Sequence, residues 1–137
     1  MAVDTATALG SQFGRYLVAG GIAALANYGS RFIFSRWFSF EVAVTLAFCV
    51  GLCTGFCLMR SFAFRASTRP ARQQALGYMT VNLFALLQTY IVSSLLRALL
   101  LPLLDSPGAA EAIAHAMGVA VPVVTSYFGH RLLTFKS

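Results

Sequence analysis

Residues 56–65 read FCLMRSFAFR and residues 127–136 read YFGHRLLTFK. Aligned, they share one frame: Phe56-x-x-x-Arg60-x-x-x-Phe64-Arg65 and Tyr127-x-x-x-Arg131-x-x-x-Phe135-Lys136, every matched position 71 residues apart. Each copy closes a long apolar run with aromatics and cations. That is how a transmembrane helix meets a membrane–water interface, where aromatic rings sit at headgroup level and Lys and Arg reach to water. The chain therefore reads as a duplicated two-helix unit.

Composition agrees. Of 137 residues, 58% are hydrophobic and 10% charged, with a mean hydropathy of +0.76. A soluble domain carries about 25% charged residues, so an integral membrane protein without a sizeable soluble domain is expected. Four apolar segments, about 13–37, 42–64, 76–101 and 109–128, can each supply the ~20 residues of a bilayer span. Residues 1–12 lack the cationic start of a secretory signal, so no cleavable signal is expected. The fold class expected is an all-α membrane protein, residues 1–137 forming one transmembrane domain.

Charge orients it. Arg15, Arg60, Arg65, Arg69, Arg72, Arg131 and Lys136 fall on one side of the spans, and Arg31, Arg36 and Arg97 on the other. Seven against three places both termini and the basic loop 65–75 in the cytoplasm. Tyr16 and Tyr78 open the first and third segments, and Asn27 pairs with Gln88, and Arg36 with Arg97, at a spacing of 61. Each half holds two spans, an even number, so the halves insert in the same sense as parallel repeats.

Small residues recur every fourth position: Ala47, Gly51 and Gly55, and Ala114, Gly118 and Pro122. Such ridges let helices approach closely in lipid, and Pro122 is expected to kink its helix. Cys49, Cys53 and Cys57 share one helical face and read as small packing residues. Phe32, Phe34, Trp37, Phe38 and Phe40 at one rim, and Phe56, Phe62, Phe64, Tyr127, Phe128 and Phe135 at the other, read mainly as interfacial belts.

No catalytic set, metal-binding motif or glycine-rich phosphate loop is present, so neither an enzyme nor a cofactor is expected, and dispersed cations argue against nucleic acid. The polar groups within the spans are the candidates, since charge at depth is costly and usually faces a cavity or partner. Arg15, Arg60 and Arg131, with His130 and Lys136, form an inner cation set. Arg31, Arg36 and Arg97 form an outer one, neither with matching acid, Glu41 being the nearest for Arg31 or Arg36. Arginine's planar fork suits phosphate, so a lipid phosphate could be held at either face, with Asn27, Asn82 and Gln88 between.

In order, Phe13-Gly14-Arg15-Tyr16-Leu17-Val18-Ala19-Gly20-Gly21, Phe56-x-x-x-Arg60-x-Phe62-x-Phe64, Tyr78 and Tyr127-x-x-x-Arg131-x-x-x-Phe135 resemble the GtrA-like family of small four-span membrane proteins. That family often has Asn just before the arginine of each foot, where this chain has Met59 and His130. The resemblance implies flipping of a polyprenyl-phosphate-linked sugar across the bacterial cytoplasmic membrane for cell-surface polysaccharide, beside a membrane glycosyltransferase. Inner arginines would capture the phosphate and outer arginines receive it, passively. A homodimer or hetero-complex is expected, because four short spans offer little volume for a sugar phosphate.

Three rivals stand beside this reading. A non-transporting anchor or accessory subunit of a glycosyltransferase would use the 65–75 loop for docking. A small multidrug-type exporter wants a carboxylate deep in its first span, and Asp4, Glu41, Asp105 and Glu111 are all shallow. A purely structural or pore-forming protein would not need the paired arginine feet.

Overall fold

A computed structural model describes residues 2–136. Its helices are α1 (Ala2–Phe34), α2 (Phe40–Leu58), α3 (Ala71–Leu100) and α4 (Pro107–Gly129), with a five-residue π turn after α2 (Met59–Ala63) and another after α4 (His130–Thr134). No strand occurs among the described residues. All four helices are long and apolar enough to cross a membrane. The helices overrun the apolar segments. α1 begins about three turns ahead of Phe13, α3 begins directly after Pro70, and helical structure after α4 persists to Thr134. At ~1.5 Å per residue α1 is about 50 Å long against an apolar layer of ~30 Å, so its ends project or it tilts.

The chain divides into two compact units, one ending at Thr68 and the other spanning Arg69–Lys136. The first unit is an antiparallel hairpin of α1 and α2. Ser39 caps α2, its side chain accepting from the Val42 N–H. Ala43, Ala47, Gly51, Gly55, Met59 and Ala63 are buried in one row of every-fourth residues. Small side chains there bring the backbones together: a Cβ at Gly51 would stand 2.7 Å from Asn27 Cβ and 3.3 Å from the Ala23 carbonyl oxygen. Contact between helices in lipid comes from packing rather than from water exclusion, so this fit holds the hairpin.

The second unit repeats that build with α3 and α4. Ser106 caps α4 through the Ala109 N–H, with Pro107 at the start, where a missing N–H costs nothing. The buried row is Ala110, Ala114, Gly118, Pro122, Ser126, His130 and Thr134. From Ala114 to Thr134 it matches Ala43 to Ala63 position for position at a spacing of 71. Gly118 lies so close to Ser93 that a Cβ there would overlap Ser93 Oγ and come within 3.1 Å of the Ser93 backbone nitrogen. α4 continues uninterrupted through Pro122, which is itself one of the buried row.

Two expectations need correction. The three cysteines are exposed. Each lies two residues from a member of the buried row, hence on the far side of α2. Phe64, Tyr127 and Phe135 are core residues at 3%, 3% and 4% exposure, not belt residues. The helix termini fold them inward, while Trp37, Phe40, Phe62 and Phe128 stay exposed.

Candidate functional site

In each unit the repeated signature forms the foot of the hairpin, and the short connection between its helices forms the tip. Each foot turns on one backbone device. The Met59 N–H is shared between the Gly55 and Phe56 carbonyls, and the His130 N–H between the Ser126 and Tyr127 carbonyls. The chain then widens by one residue. Phe64 N–H donates to the Met59 carbonyl at 2.7 Å, and Phe135 N–H to the His130 carbonyl at 2.8 Å. These five-residue hydrogen bonds define π turns, which favour functional positions because they re-aim side chains. The second residue of each is the arginine of the signature, Arg60 or Arg131.

Around the first foot, Tyr16 packs edge-on to Phe64 with centroids 6.5 Å apart. Arg15 beside it donates from Nη1 to Ser11 Oγ at 3.0 Å. Its Nε is enclosed with no acceptor among the described residues. Arg60 is exposed.

The second foot is tied more tightly. His130 is 3% exposed. Its ring stacks on Tyr78 at 5.1 Å, its Nδ1 lies 3.2 Å from Thr134 Oγ1, and the Phe135 ring lies tilted with its centroid 6.1 Å away. The structure thus sets His130 in the packed interior of its unit. Arg131 is half-buried and Lys136 exposed. Arg69 donates through Nη1 to the Leu133 carbonyl. Its own carbonyl accepts from Gln74 Nε2 at 2.9 Å. A carbonyl at a helix C-terminus has no partner inside the helix, so Arg69 satisfies one and pins the loop against the foot. By sequence alone Arg69 is an orientation charge within the basic 65–75 loop. Its position one residue before a helix-starting proline was the available signal.

The midspan residues sit within their own hairpins. Asn27 lies against Gly51, and Asn82 donates back to the Tyr78 carbonyl at 2.8 Å. Thr125 Oγ1 donates across to Gln88 Oε1 at 2.7 Å. Gln88 and Thr125 line a half-open groove of about 150 Å³ between α3 and α4.

At the tips, the outer set lacks the uniformity expected of it. Arg97 does have an acid: Glu111 Oε1 lies 2.7 Å from its Nη2 and 2.9 Å from its Nε. The turn at 101–106 brings the last turn of α3 opposite the first turns of α4, so residues 14 apart in sequence meet. Arg31 faces rings instead of Glu41, its guanidinium carbon 4.4 Å from the Phe32 centroid and 5.5 Å from that of Phe40. An aromatic face offers a cation attraction where water is scarce. Arg36 is exposed in the connection.

Four helices of spanning length and apolarity among the described residues define a multi-pass membrane protein. The chain belongs to the GtrA/DPMS transmembrane-domain family, whose model matches residues 15–135. No curated protein matches it. The family ties the chain to membrane processes of polyprenyl-phosphate sugars.

Proposed function

We propose that the protein translocates a polyprenyl-phosphate-linked sugar across the bacterial cytoplasmic membrane. The observation that carries this reading is the pair of feet, each presenting an arginine from a π turn at the same position. Family membership supplies the class of lipid. The two hairpins act as parallel repeats with both termini and the 65–75 loop in the cytoplasm, so both feet face the leaflet where the lipid is loaded. Arg60 and Arg131 capture the phosphate, with Arg15 beside the first foot and Lys136 beside the second. Asn27, Asn82 and Gln88 mark the polar route. Arg31 and Arg36, with Arg97 once Glu111 releases it, receive the head group at the far face. No chemistry is performed, and the flux is drawn by consumption of the product. The working form is a homodimer or a complex with a membrane glycosyltransferase.

The test is flipping of a fluorescent polyprenyl-phosphate sugar by purified protein in proteoliposomes, beside the Arg60→Ala/Arg131→Ala variant. Protein-dependent flipping that the variant loses supports the reading. Folded wild-type protein that flips nothing removes it in favour of a non-transporting anchor or accessory subunit of the glycosyltransferase.

A further inference from the structure

Along α3, Leu83, Leu87, Tyr90 and Ser94 follow one another at steps of four, three and four residues, the spacing of a seam between two packed helices. All four are exposed, Leu83 at 68% and Tyr90 at 72%. The buried residues of α3, Gln74, Tyr78 and Val81, lie on the opposite side of the helix. Two of the four carry hydroxyls, and neither hydroxyl has a hydrogen-bond partner among the described residues.

Their depth makes this costly. At ~1.5 Å per residue, Tyr90 stands roughly 10 Å inward of Arg97, the cation in the last turn of α3. Helical side chains lean towards the N-terminus. The phenol therefore leans away from the tip, towards the middle of an apolar layer ~30 Å thick. Lipid tails offer it no partner there.

We infer that this row of α3 is the contact with the α3 of a second copy, the two related by a two-fold axis along the membrane normal. The inference names the partner that the proposed function leaves open, and rests on that reading for one sense of insertion of every copy. Copies inserted in one sense sit at one depth, so the axis brings Tyr90 to the partner's Tyr90 and Ser94 to the partner's Ser94. A hydroxyl both donates and accepts, so each pairs with its own counterpart, as two carboxylates or two ammonium groups would not. The first unit offers no such match. At a spacing of 61 its residues are Gly29 and Ile33, without hydroxyls. The small-residue rows, the other means of close contact in lipid, are buried inside the hairpins. Arg97 continues the seam beyond Ser94, and Glu111 neutralises it there, so the arginines of two copies do not oppose the contact.

The experiment oxidises single-cysteine full chains in the membranes of the expressing cell. Cys49→Ala, Cys53→Ala and Cys57→Ala, all at exposed positions, remove the native thiols, so a disulfide can form only with a second copy. Leu95, 60% exposed, is the control, at the depth of Ser94 but about 100° around the helix from it. Leu87→Cys and Ser94→Cys should give disulfide dimers at least about tenfold faster than Leu95→Cys. Tyr90→Phe with Ser94→Ala keeps the shape and removes both hydroxyls. It should slow cross-linking from Leu87→Cys by about tenfold, the scale of two hydrogen bonds between membrane helices, while helix content by circular dichroism stays unchanged. Dimers formed equally from Leu95→Cys, dimers indifferent to the loss of both hydroxyls, or none from either seam position overturn the inference. The row then faces lipid, the first unit or a different protein. A flipping assay on the same variants keeps the two readings apart. Seam dimers that flip nothing leave the contact and remove the transporter, and flipping without a seam dimer does the reverse.

Discussion

The imidazole of His130 stacks on the phenol of Tyr78, with centroids 5.1 Å apart and planes 21° from parallel. This contact joins α3 to the second π turn. At the matched place in the first unit stands Met59, 4% exposed, whose terminal carbon lies 4.0 Å from where a Cβ on Gly20 would be. Both residues are flat or flexible fillers of similar reach. His130→Met combined with Thr134→Ala, the pair that the first unit carries as Met59 and Ala63, should therefore cost less than about 1.5 kcal/mol, as volume-conserving core exchanges do. His130→Ala should cost about 2 kcal/mol or more through the cavity it leaves. Thermal melting in detergent measures both, and equal losses would show that the ring itself is required.

Gly118 and Ser93 set the closest approach of α3 and α4. Gly118→Ala should destabilise by about 1–3 kcal/mol, the usual range for overpacking. Adding Ser93→Gly should recover part of that loss, because it removes the side chain that the new methyl meets. A Gly118→Ala protein that melts like wild type would contradict the close approach.

Arg97 and Glu111 form an ion pair in which both side chains are about half exposed, at 55% and 51%. Solvent screens such a pair, so Glu111→Gln should change stability by less than about 1 kcal/mol. If Arg97 receives a phosphate, the same variant should speed release or arrival of lipid at that face, and flipping kinetics should respond while melting does not. No change in either would leave the pair without a part in transport.

Arg60 is exposed and Arg131 half-buried, so alanine at each should leave the melting temperature near that of wild type. Loss of one charge-assisted contact is worth about 1.5–3 kcal/mol, so each single variant should slow flipping by about tenfold or more. Melting curves and transport rates from one preparation give the comparison. A variant that loses both together would make the arginine a folding residue.

The hairpins were legible because their signals are periodic. Apolar length gave the spans, and small residues at every fourth place gave Ala47, Gly51, Gly55, Ala114, Gly118 and Pro122 as one buried row in each unit. The feet were legible as a repeat, but not as π turns, since a five-residue hydrogen bond leaves no residue type behind it. Pairings across a hairpin were also hidden. Arg97 with Glu111 and Arg69 with Leu133 depend on helix lengths and turn geometry that hydropathy does not fix. The cysteines misled because their spacing marks a face without saying whether that face looks in or out.

A π turn holds one residue more than the helix around it requires. Deleting a single residue within 61–63 or 132–134 would let the ladder close as ordinary α-helix, the Phe64 or Phe135 N–H still bonded to the Met59 or His130 carbonyl and its ring still in place. The arginine would then leave from an α turn instead of a π turn. Single-codon deletions there should therefore spare the fold, and, where the π turn aims the arginine, cost transport alone.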